Sequence, residues 1–263
     1  MPIAVALKHM TLRFLPESAL KHLRRSHYGR KIQNAPAEPE MAVIPHLVAA
    51  GGCAIDLGAN FGAYTHFLAR TVGPAGQVHA VEPIPETFKL LRSNIRRQKL
   101  STVSVYNVAA SDRSGETSML VPHYDRGGEN LYEAKIVSAD YDLGVRHVSV
   151  PTERLDDLFG RLGRIDFIKC DVEGHELNVL RGAPEILRVH RPAWLIEVSG
   201  NPDEPDSPAA EVVDLMSRAN YRVFHLDAGH PRPRVTGDRA VNYFFLRPEH
   251  VRYLKAVSRP SFA

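Results

Sequence analysis

The sequence predicts an α/β fold in which helices cover both faces of a seven-stranded, mostly parallel sheet. From residue 53 onward, short apolar runs alternate with segments of helical periodicity, a pattern typical of parallel strands joined by helical crossovers. The last two strand candidates are separated by residues 227–240, a Gly-, Pro- and Arg-rich stretch that is too short for a comfortable crossover helix. We therefore expect the last strand to be antiparallel.

The first half of the predicted sheet contains three strands. They lie over residues 53–57, 77–81 and 103–106, with helices over 61–71 and 86–97. In the second helix Phe88, Leu91 and Ile95 fall on one face, as a helix packed on a sheet requires.

The second half supplies four more strands. They are predicted over residues 165–168, 193–196, 221–224 and 241–246, with helices over 176–189 and 208–219. Pro184 interrupts the first of these helices, because proline lacks a backbone donor and clashes with the preceding turn.

Residues 111–150 interrupt this alternation and are predicted to form an inserted β-hairpin or loop over the sheet. Loops of this length often act as lids or binding walls, although a surface elaboration without function fits equally well. The segment carries aromatic and hydrogen-bonding side chains suited to a sugar, which also occur in ordinary surface loops. These residues are His123, Tyr124, Asp125, Arg126, Asn130, Tyr132 and Tyr141.

The charge of the chain is unevenly distributed. The 33 Lys and Arg exceed the 30 Asp and Glu by three, yet residues 1–33 alone carry +6 and the remainder −3. We expect three parts: a basic helical extension over 1–37, a main domain over 38–250 and a tail over 251–263. The extension is interpreted as a cap helix on the body; the alternatives are a surface for anionic lipid or an anionic glycan, and a disordered arm.

The composition excludes several classes of protein. Hydrophobic content of 44% and charged content of 24% are those of a globular chain. Cys53 and Cys170 are too few for a disulfide framework, and no apolar run approaches the ~20 residues of a membrane span. Without a secretory pattern at the N-terminus, we expect a cytoplasmic protein, with peripheral membrane contact as the alternative that the basic extension leaves open.

A loop after the first strand carries the strongest chemical signal. Asp56 ends the strand, and Gly58, Asn60 and Gly62 follow before a helix begins. Ligands of open α/β sheets bind beyond the carboxyl ends of the strands, where this loop falls. Glu82 ends the second strand, a position from which a carboxylate accepts hydrogen bonds from ribose hydroxyls.

The first strand separates two classes of ligand. A nicotinamide dinucleotide requires G-x-G-x-x-G, but Asn60 stands where the second glycine would allow the pyrophosphate to approach. Asp56 would also place negative charge near the phosphates. S-adenosylmethionine has no phosphate and carries an ammonium and a sulfonium, which a carboxylate attracts. The loop therefore favours S-adenosylmethionine.

Several runs of the chain resemble the FkbM family of S-adenosylmethionine-dependent methyltransferases. They are residues 55–62, 81–83, the D-V-E-G-H-E run within 167–176, and 180–183. The similarity extends over roughly residues 40–248. It implies a Rossmann-like class I methyltransferase fold and O-methylation of a hydroxyl on a sugar, glycan or polyketide-type molecule.

The resemblance also implies a cofactor site. Asp56, Gly58, Asn60 and Gly62 would surround the methionine part of the cofactor, and Glu82 would hold the ribose. In the helix that follows the loop, Tyr64 and Thr65 would bind the carboxylate with help from the helix N-terminus. Asn107 and Ala109 are expected beside the adenine; for Asn107 a turn residue at a strand end is the alternative.

The fourth predicted strand ends in a second cluster of polar residues. Methyl transfer mainly requires positioning, but a sugar hydroxyl needs a base or a metal to take up its proton. Asp171 is the first choice for that base, followed by His175 and Glu173. A helix cap is an equally good role for Glu173, and Glu176 is expected to serve the first helical turn.

A magnesium site is a further hypothesis. Asp171 and Glu197 end neighbouring predicted strands, so their carboxylates could hold Mg²⁺ between them. The alternative is that one carboxylate binds substrate directly.

Three other functions fit the sequence less well. Nucleic-acid methylation is disfavoured, because residues 171–174 lack the prolines of the amino-methylase motif and the acidic body offers no broad phosphate-binding face. Asn60 weakens an NAD-dependent oxidoreductase. A non-catalytic binding module with this fold would not need Asp56, Glu82 and Asp171 together.

Overall fold

A computed structural model describes residues 38–121, 135–136 and 146–257. The expected basic extension, most of the tail and the sugar-suited side chains of the insertion lie outside these residues. An eight-stranded sheet forms the centre. Its strands are β1 Cys53–Leu57, β2 Gln77–Val81, β3 Val103–Tyr106, β8 Phe167–Cys170, β9 Ala193–Glu197, β10 Arg222–Asp227, β11 His230–Pro233 and β12 Asn242–Leu246. They lie in the order β11-β10-β12-β9-β8-β1-β2-β3.

The direction of the strands confirms the mostly parallel sheet. β1 pairs in parallel with β2 and β8, and β12 runs antiparallel between β9 and β10, as the short 227–240 connection predicts. The eighth strand was not expected, because β11 lies inside that connection and contains Pro231 and Pro233. It pairs antiparallel with β10 at the edge of the sheet, where a strand tolerates proline.

Helices cover both faces. They are α1 Ala63–Val72, α2 Pro85–Arg97, α3 Leu155–Phe159, α4 Glu176–Arg181, α5 Pro208–Arg218 and α6 Pro248–Val257. Alternate residues of each strand point to opposite faces. Trp194 and Ile196 therefore pack with Met216 of α5, while Leu195 packs in a second core with Leu68 of α1.

The helix boundaries differ in detail from the prediction. α1 begins at Ala63 rather than at 61, because Gly62 has φ +97° and cannot continue a helix. The predicted helix 176–189 divides at Pro184 into α4 and a π-helical turn, Ile186–His190. The last helix, α6, crosses residue 250, the expected end of the domain. No helix among the described ranges has the length and apolarity needed to cross a bilayer.

The insertion forms a second sheet beside the first. Its strands, in the order β4-β7-β5-β6, are β4 Ala109–Ser111, β5 Gly115–Val121, β6 Lys135–Ile136 and β7 Arg146–Arg154. β5 and β7 pair antiparallel from Gly115 opposite Thr152 to Val121 opposite Arg146. This sheet brings Met119 and Ile136 to the carboxyl ends of the central strands.

Candidate active site

A cavity of about 210 Å³ opens where β1, β2 and β8 end, with one wall from the second sheet. It collects most of the predicted site residues. Those lining it are Asp56, Gly58, Asn60, Tyr64, Glu82, Ala109, Asp171, Glu173 and His175. Gly62, Thr65, Asn107 and Glu197 were also predicted for the site, and they stand behind the lining rather than in it.

The loop after β1 is shaped by contact with the end of β8. Gly58 has φ +75°, and a Cβ there would lie 1.7 Å from the Asp171 carbonyl oxygen. The backbone N–H groups of Gly58 and Ala59 both donate to the Val81 carbonyl. Only glycine permits this approach, so the glycine of the motif is required because the ends of β1 and β8 lie close together.

Asp56 is completely buried at the end of β1. The Thr65 hydroxyl donates to its Oδ2 over 2.5 Å, whereas Oδ1 has no hydrogen-bond partner among the described residues. Burial raises the pKa of the Asp56 carboxyl, and the Lys169 charge opposes that rise. Thr65 was expected to bind a ligand carboxylate. It instead donates to Asp56, because its position on α1 faces the sheet.

Tyr64 lines the cavity from the first turn of α1. Its hydroxyl donates to Glu38 Oε2 over 2.5 Å, and burial together with that carboxylate raises the pKa of Tyr64. The N-cap residue Gly62 has no side chain, and none caps the helix. A Cβ on Gly62 would meet Leu91 at 2.8 Å, so this glycine allows α1 and α2 to pack closely.

Glu82 is held in place by two backbone amides. Its Oε2 accepts from Asn60 N–H and its Oε1 from Ile84 N–H, each at 2.9 Å. Burial raises the pKa of Glu82 to about 7. Each carboxylate oxygen has two lone pairs, so each is able to accept one further hydrogen bond from a ligand hydroxyl.

Asn107 supports the strand end instead of facing the cavity. Its amide donates to the carbonyls of Glu82 and Pro83, over 2.9 and 2.8 Å. These two bonds hold the turn that follows β2. Ala109 lines the cavity, where Ile84, Met119 and Ile136 complete an apolar wall.

Lys169 occupies the end of β8. Its Nζ lies 2.7 Å from Asp171 Oδ2 and 4.6 Å from the centre of the Tyr64 ring. The pKa of Lys169 is raised: burial opposes the charged form, but the nearby carboxylates of Asp171 and Asp56 outweigh it. No role was predicted for this lysine, although a charged residue inside an apolar strand is a signal for one.

Asp171 and Glu197 do not fit the predicted magnesium site. Among the described residues, no group of three or more His, Cys, Asp or Glu side chains is arranged to hold a metal ion. The Lys169 ammonium already pairs with Asp171. Burial, with the Asp171 charge, raises the pKa of Glu197 to about 7, so this carboxyl is partly protonated at neutral pH. One paired and one readily protonated carboxylate are a poor set of ligands for Mg²⁺.

The D-V-E-G-H-E run forms a tight turn into α4. Glu173 and Gly174 have φ +55° and +91°. Glu176, the first residue of α4, accepts from the backbone N–H groups of Val172 and Gly174, at 3.2 and 3.0 Å. Its expected place in the first helical turn is confirmed, and it closes the turn that presents Glu173 to the cavity.

His175 is joined to the insertion through Ser111. The Ser111 hydroxyl lies 2.9 Å from His175 Nε2 and 3.1 Å from Asp112 Oδ1. Burial lowers the pKa of His175. Burial opposes the charged form of Asp112, but hydrogen bonding from Ser111 and the Arg113 charge together hold the pKa of Asp112 below its usual value. Neither Ser111 nor Asp112 was recognised from the sequence, because the contact joins residues 64 positions apart.

The central sheet, its reversed strand β12 and the glycine loop at the strand ends define a class I methyltransferase fold. The profile of the Methyltransferase FkbM domain matches residues 56–223. The chain belongs to the FkbM methyltransferase family.

Several named proteins are similar to this chain. The chain is 28% identical to the 2-O-methyltransferase NoeI of Sinorhizobium fredii over 70% of this chain and 76% of that protein. It is 30% identical to the hexuronic acid methyltransferase AglP of Haloferax volcanii, over 62% of this chain and 61% of that protein. The structure of an FkbM methyltransferase from Methylobacillus flagellatus superposes with a TM-score of 0.47 at 16% identity, over 85% and 59%. The chain spans 57% and 60% of the length of two further relatives.

Proposed function

We propose that this protein transfers a methyl group from S-adenosylmethionine to a hydroxyl of a sugar, glycan or polyketide-type small molecule. The observation that carries the proposal is the pairing of the glycine loop with Glu82, whose carboxylate is held at the cavity wall by the Asn60 and Ile84 amides. This arrangement suits a ribose. The cavity lining is rich in carboxylates, which suits a ligand with two positive groups.

Two parts of the cavity lining support the choice of S-adenosylmethionine. At one end, the unpartnered Asp56 Oδ1 adds a buried negative atom beneath the glycine loop. At the other, Ile84, Ala109, Met119 and Ile136 form an apolar wall suited to the face of an adenine ring. When bound, the cofactor would supply a methyl group that its sulfonium has already activated.

We assign the proton-accepting role to His175. The Ser111 hydroxyl has a single proton, and Asp112 is a carboxylate that only accepts, so that proton is directed to Asp112. His175 Nε2 must then donate to Ser111, which leaves Nδ1 with a lone pair for an acceptor hydroxyl. The lowered pKa keeps the imidazole neutral at pH 7.

Asp171 and Glu173 line the same end of the cavity and are proposed to orient the acceptor. Asp171 was the first choice for the base, but its Oδ2 already accepts from Lys169. That oxygen is therefore engaged with the ammonium rather than left for an acceptor hydroxyl.

The relatives support a sugar as acceptor. One carries the name 2-O-methyltransferase and another hexuronic acid methyltransferase. The second sheet supplies the wall nearest to His175, so the acceptor is proposed to enter between that sheet and the turn at Glu173.

The test is a methyl-transfer screen with isotopically labelled S-adenosylmethionine against glycan and polyketide extracts. Label is expected in an O-methyl group of a sugar; incorporation only into N-methyl groups or nucleic acid would contradict the proposal. With the acceptor identified, His175→Ala is expected to lower kcat by roughly 10²- to 10⁴-fold, with cofactor affinity unchanged.

His230→Ala, at an exposed position on β11, is the matched control and is expected to leave kcat unchanged. The wild-type rate should fall as the pH drops below the ordinary imidazole value of 6.5, because only the neutral ring accepts a proton and its pKa is lowered. If His175→Ala kept the kcat of the wild type, His175 would not be the proton acceptor.

A further inference from the structure

The cavity has an uneven set of charges. Its described lining includes five acidic residues, Glu38, Asp56, Glu82, Asp171 and Glu173, and a single lysine or arginine, Lys169. S-adenosylmethionine carries two positive groups and one carboxylate. Its positive groups match the acidic lining, whereas its carboxylate would be repelled beside those acidic residues and attracted beside Lys169.

The salt bridge to Asp171 uses only part of the donor capacity of Lys169. Its side chain is only 7% exposed, and its ammonium has three N–H donors, one of which is directed to Asp171 over 2.7 Å. Its Nζ also lies 4.6 Å from the centre of the Tyr64 ring. Buried donors are nearly always paired in proteins, so the remaining N–H groups at the cavity wall call for an acceptor.

A second anion-binding feature converges on the same place. Tyr64 belongs to the first turn of α1, a ten-residue helix whose N-terminus has no side-chain cap. The backbone amides of an uncapped N-terminus favour a negative group, and here they adjoin the aromatic ring over which the Lys169 ammonium lies.

The hydroxyls that were expected to bind the carboxylate are committed elsewhere. Thr65 donates to Asp56, and Tyr64 donates to Glu38. A hydroxyl has one proton, so neither is able to donate to a ligand without releasing its present partner.

We propose that the Lys169 ammonium, with the N-terminal amides of α1, binds the α-carboxylate of S-adenosylmethionine. The proposal rests on the function proposed above and adds a cofactor-binding residue to it. Lys169 then bridges two carboxylates, that of the ligand and that of Asp171, and so ties the cofactor to the strand end that faces the acceptor.

The test compares two ligands that differ only in this carboxylate. Binding of S-adenosylmethionine and of decarboxylated S-adenosylmethionine is measured by calorimetry on wild type and Lys169→Met. Wild type is expected to prefer the carboxylated ligand by roughly 10- to 100-fold, the range for a hydrogen bond between charged groups. Lys169→Met should lose most of this preference and keep only the small part that the N-terminal amides of α1 supply.

Lys89→Met, at an exposed position of α2, is the matched control and should keep the full preference. Thermal unfolding establishes that each variant is folded. Equal weakening of both ligands in Lys169→Met would overturn the proposal, since it would show that the lysine acts only through Asp171 or the fold. A wild-type protein that binds both ligands equally would overturn it without any variant.

The failure of the proposed function gives a different result. A wild-type protein that binds neither ligand would reject S-adenosylmethionine itself, whereas binding without discrimination rejects only the role of Lys169.

Discussion

Replacing Gly58 by alanine tests how closely the two strand ends must approach. The new Cβ would lie 1.7 Å from the Asp171 carbonyl oxygen and 2.9 Å from its carbonyl carbon. Non-bonded heavy atoms rest at roughly 3.5 Å, so the loop or the end of β8 must move by well over 1 Å. Neither side of the contact is the flexible end of a side chain.

The expected loss of stability has two parts. Alanine at φ +75° costs about 1–2 kcal/mol, and overpacking adds about 1–3 kcal/mol, giving roughly 2–5 kcal/mol in total. Gly51→Ala is the matched control, because Gly51 has φ +79° and its Cβ would meet nothing within 4 Å. It should lose only the backbone part.

Urea unfolding of both variants measures this difference, and calorimetry measures cofactor affinity. Gly58→Ala is expected to be less stable than Gly51→Ala and to bind S-adenosylmethionine at least tenfold more weakly, because the moved loop carries Asn60, whose amide holds Glu82. Equal stability of the two variants, together with wild-type affinity, would refute the argument from close approach.

Two more predictions concern groups around the cavity. Thr65→Val should lower the free energy of unfolding by about 1.5–3 kcal/mol, because it removes the hydrogen bond to the buried Asp56 carboxyl. Thr71→Val removes only a bond to a helix carbonyl and should cost less than about 1 kcal/mol. Equal losses in urea unfolding would contradict the role of Thr65 in holding Asp56. Dialysis against a chelator should leave turnover unchanged, because Lys169 already pairs with Asp171. A loss of activity that Mg²⁺ restores would instead place a cation between Asp171 and Glu197.

The central sheet was predictable because its strands are short apolar runs with helices between them. The reversed direction of β12 followed from the length of one connection. β11 was missed because Pro231 and Pro233 argue against a strand anywhere except at an edge, and edge position is not visible in a single sequence.

The site was predictable where the backbone itself demands a residue type. Gly58 is required by the approach of another strand, and the motif could be recognised from its glycines alone. Thr65 was predicted to contact a ligand carboxylate, but it faces the sheet. Its helical spacing from Leu68, Ala69 and Val72 already puts it on the face that packs there.

Lys169 shows what a single sequence does not contain. Its role depends on the parallel register that sets it opposite Asp56, and on the packing of α1 above both residues. Neither can be derived from the order of residues in β8. The bond between Ser111 and His175 depends in the same way on how the second sheet sits against α4.

Calorimetric titration of the wild-type protein with S-adenosylmethionine and with NAD decides which class of ligand the cavity binds. The carboxylate-lined cavity, with Asn60 in place of a phosphate-binding glycine, predicts binding of S-adenosylmethionine at one site per chain and no heat from NAD. Binding of NAD without binding of S-adenosylmethionine would contradict it.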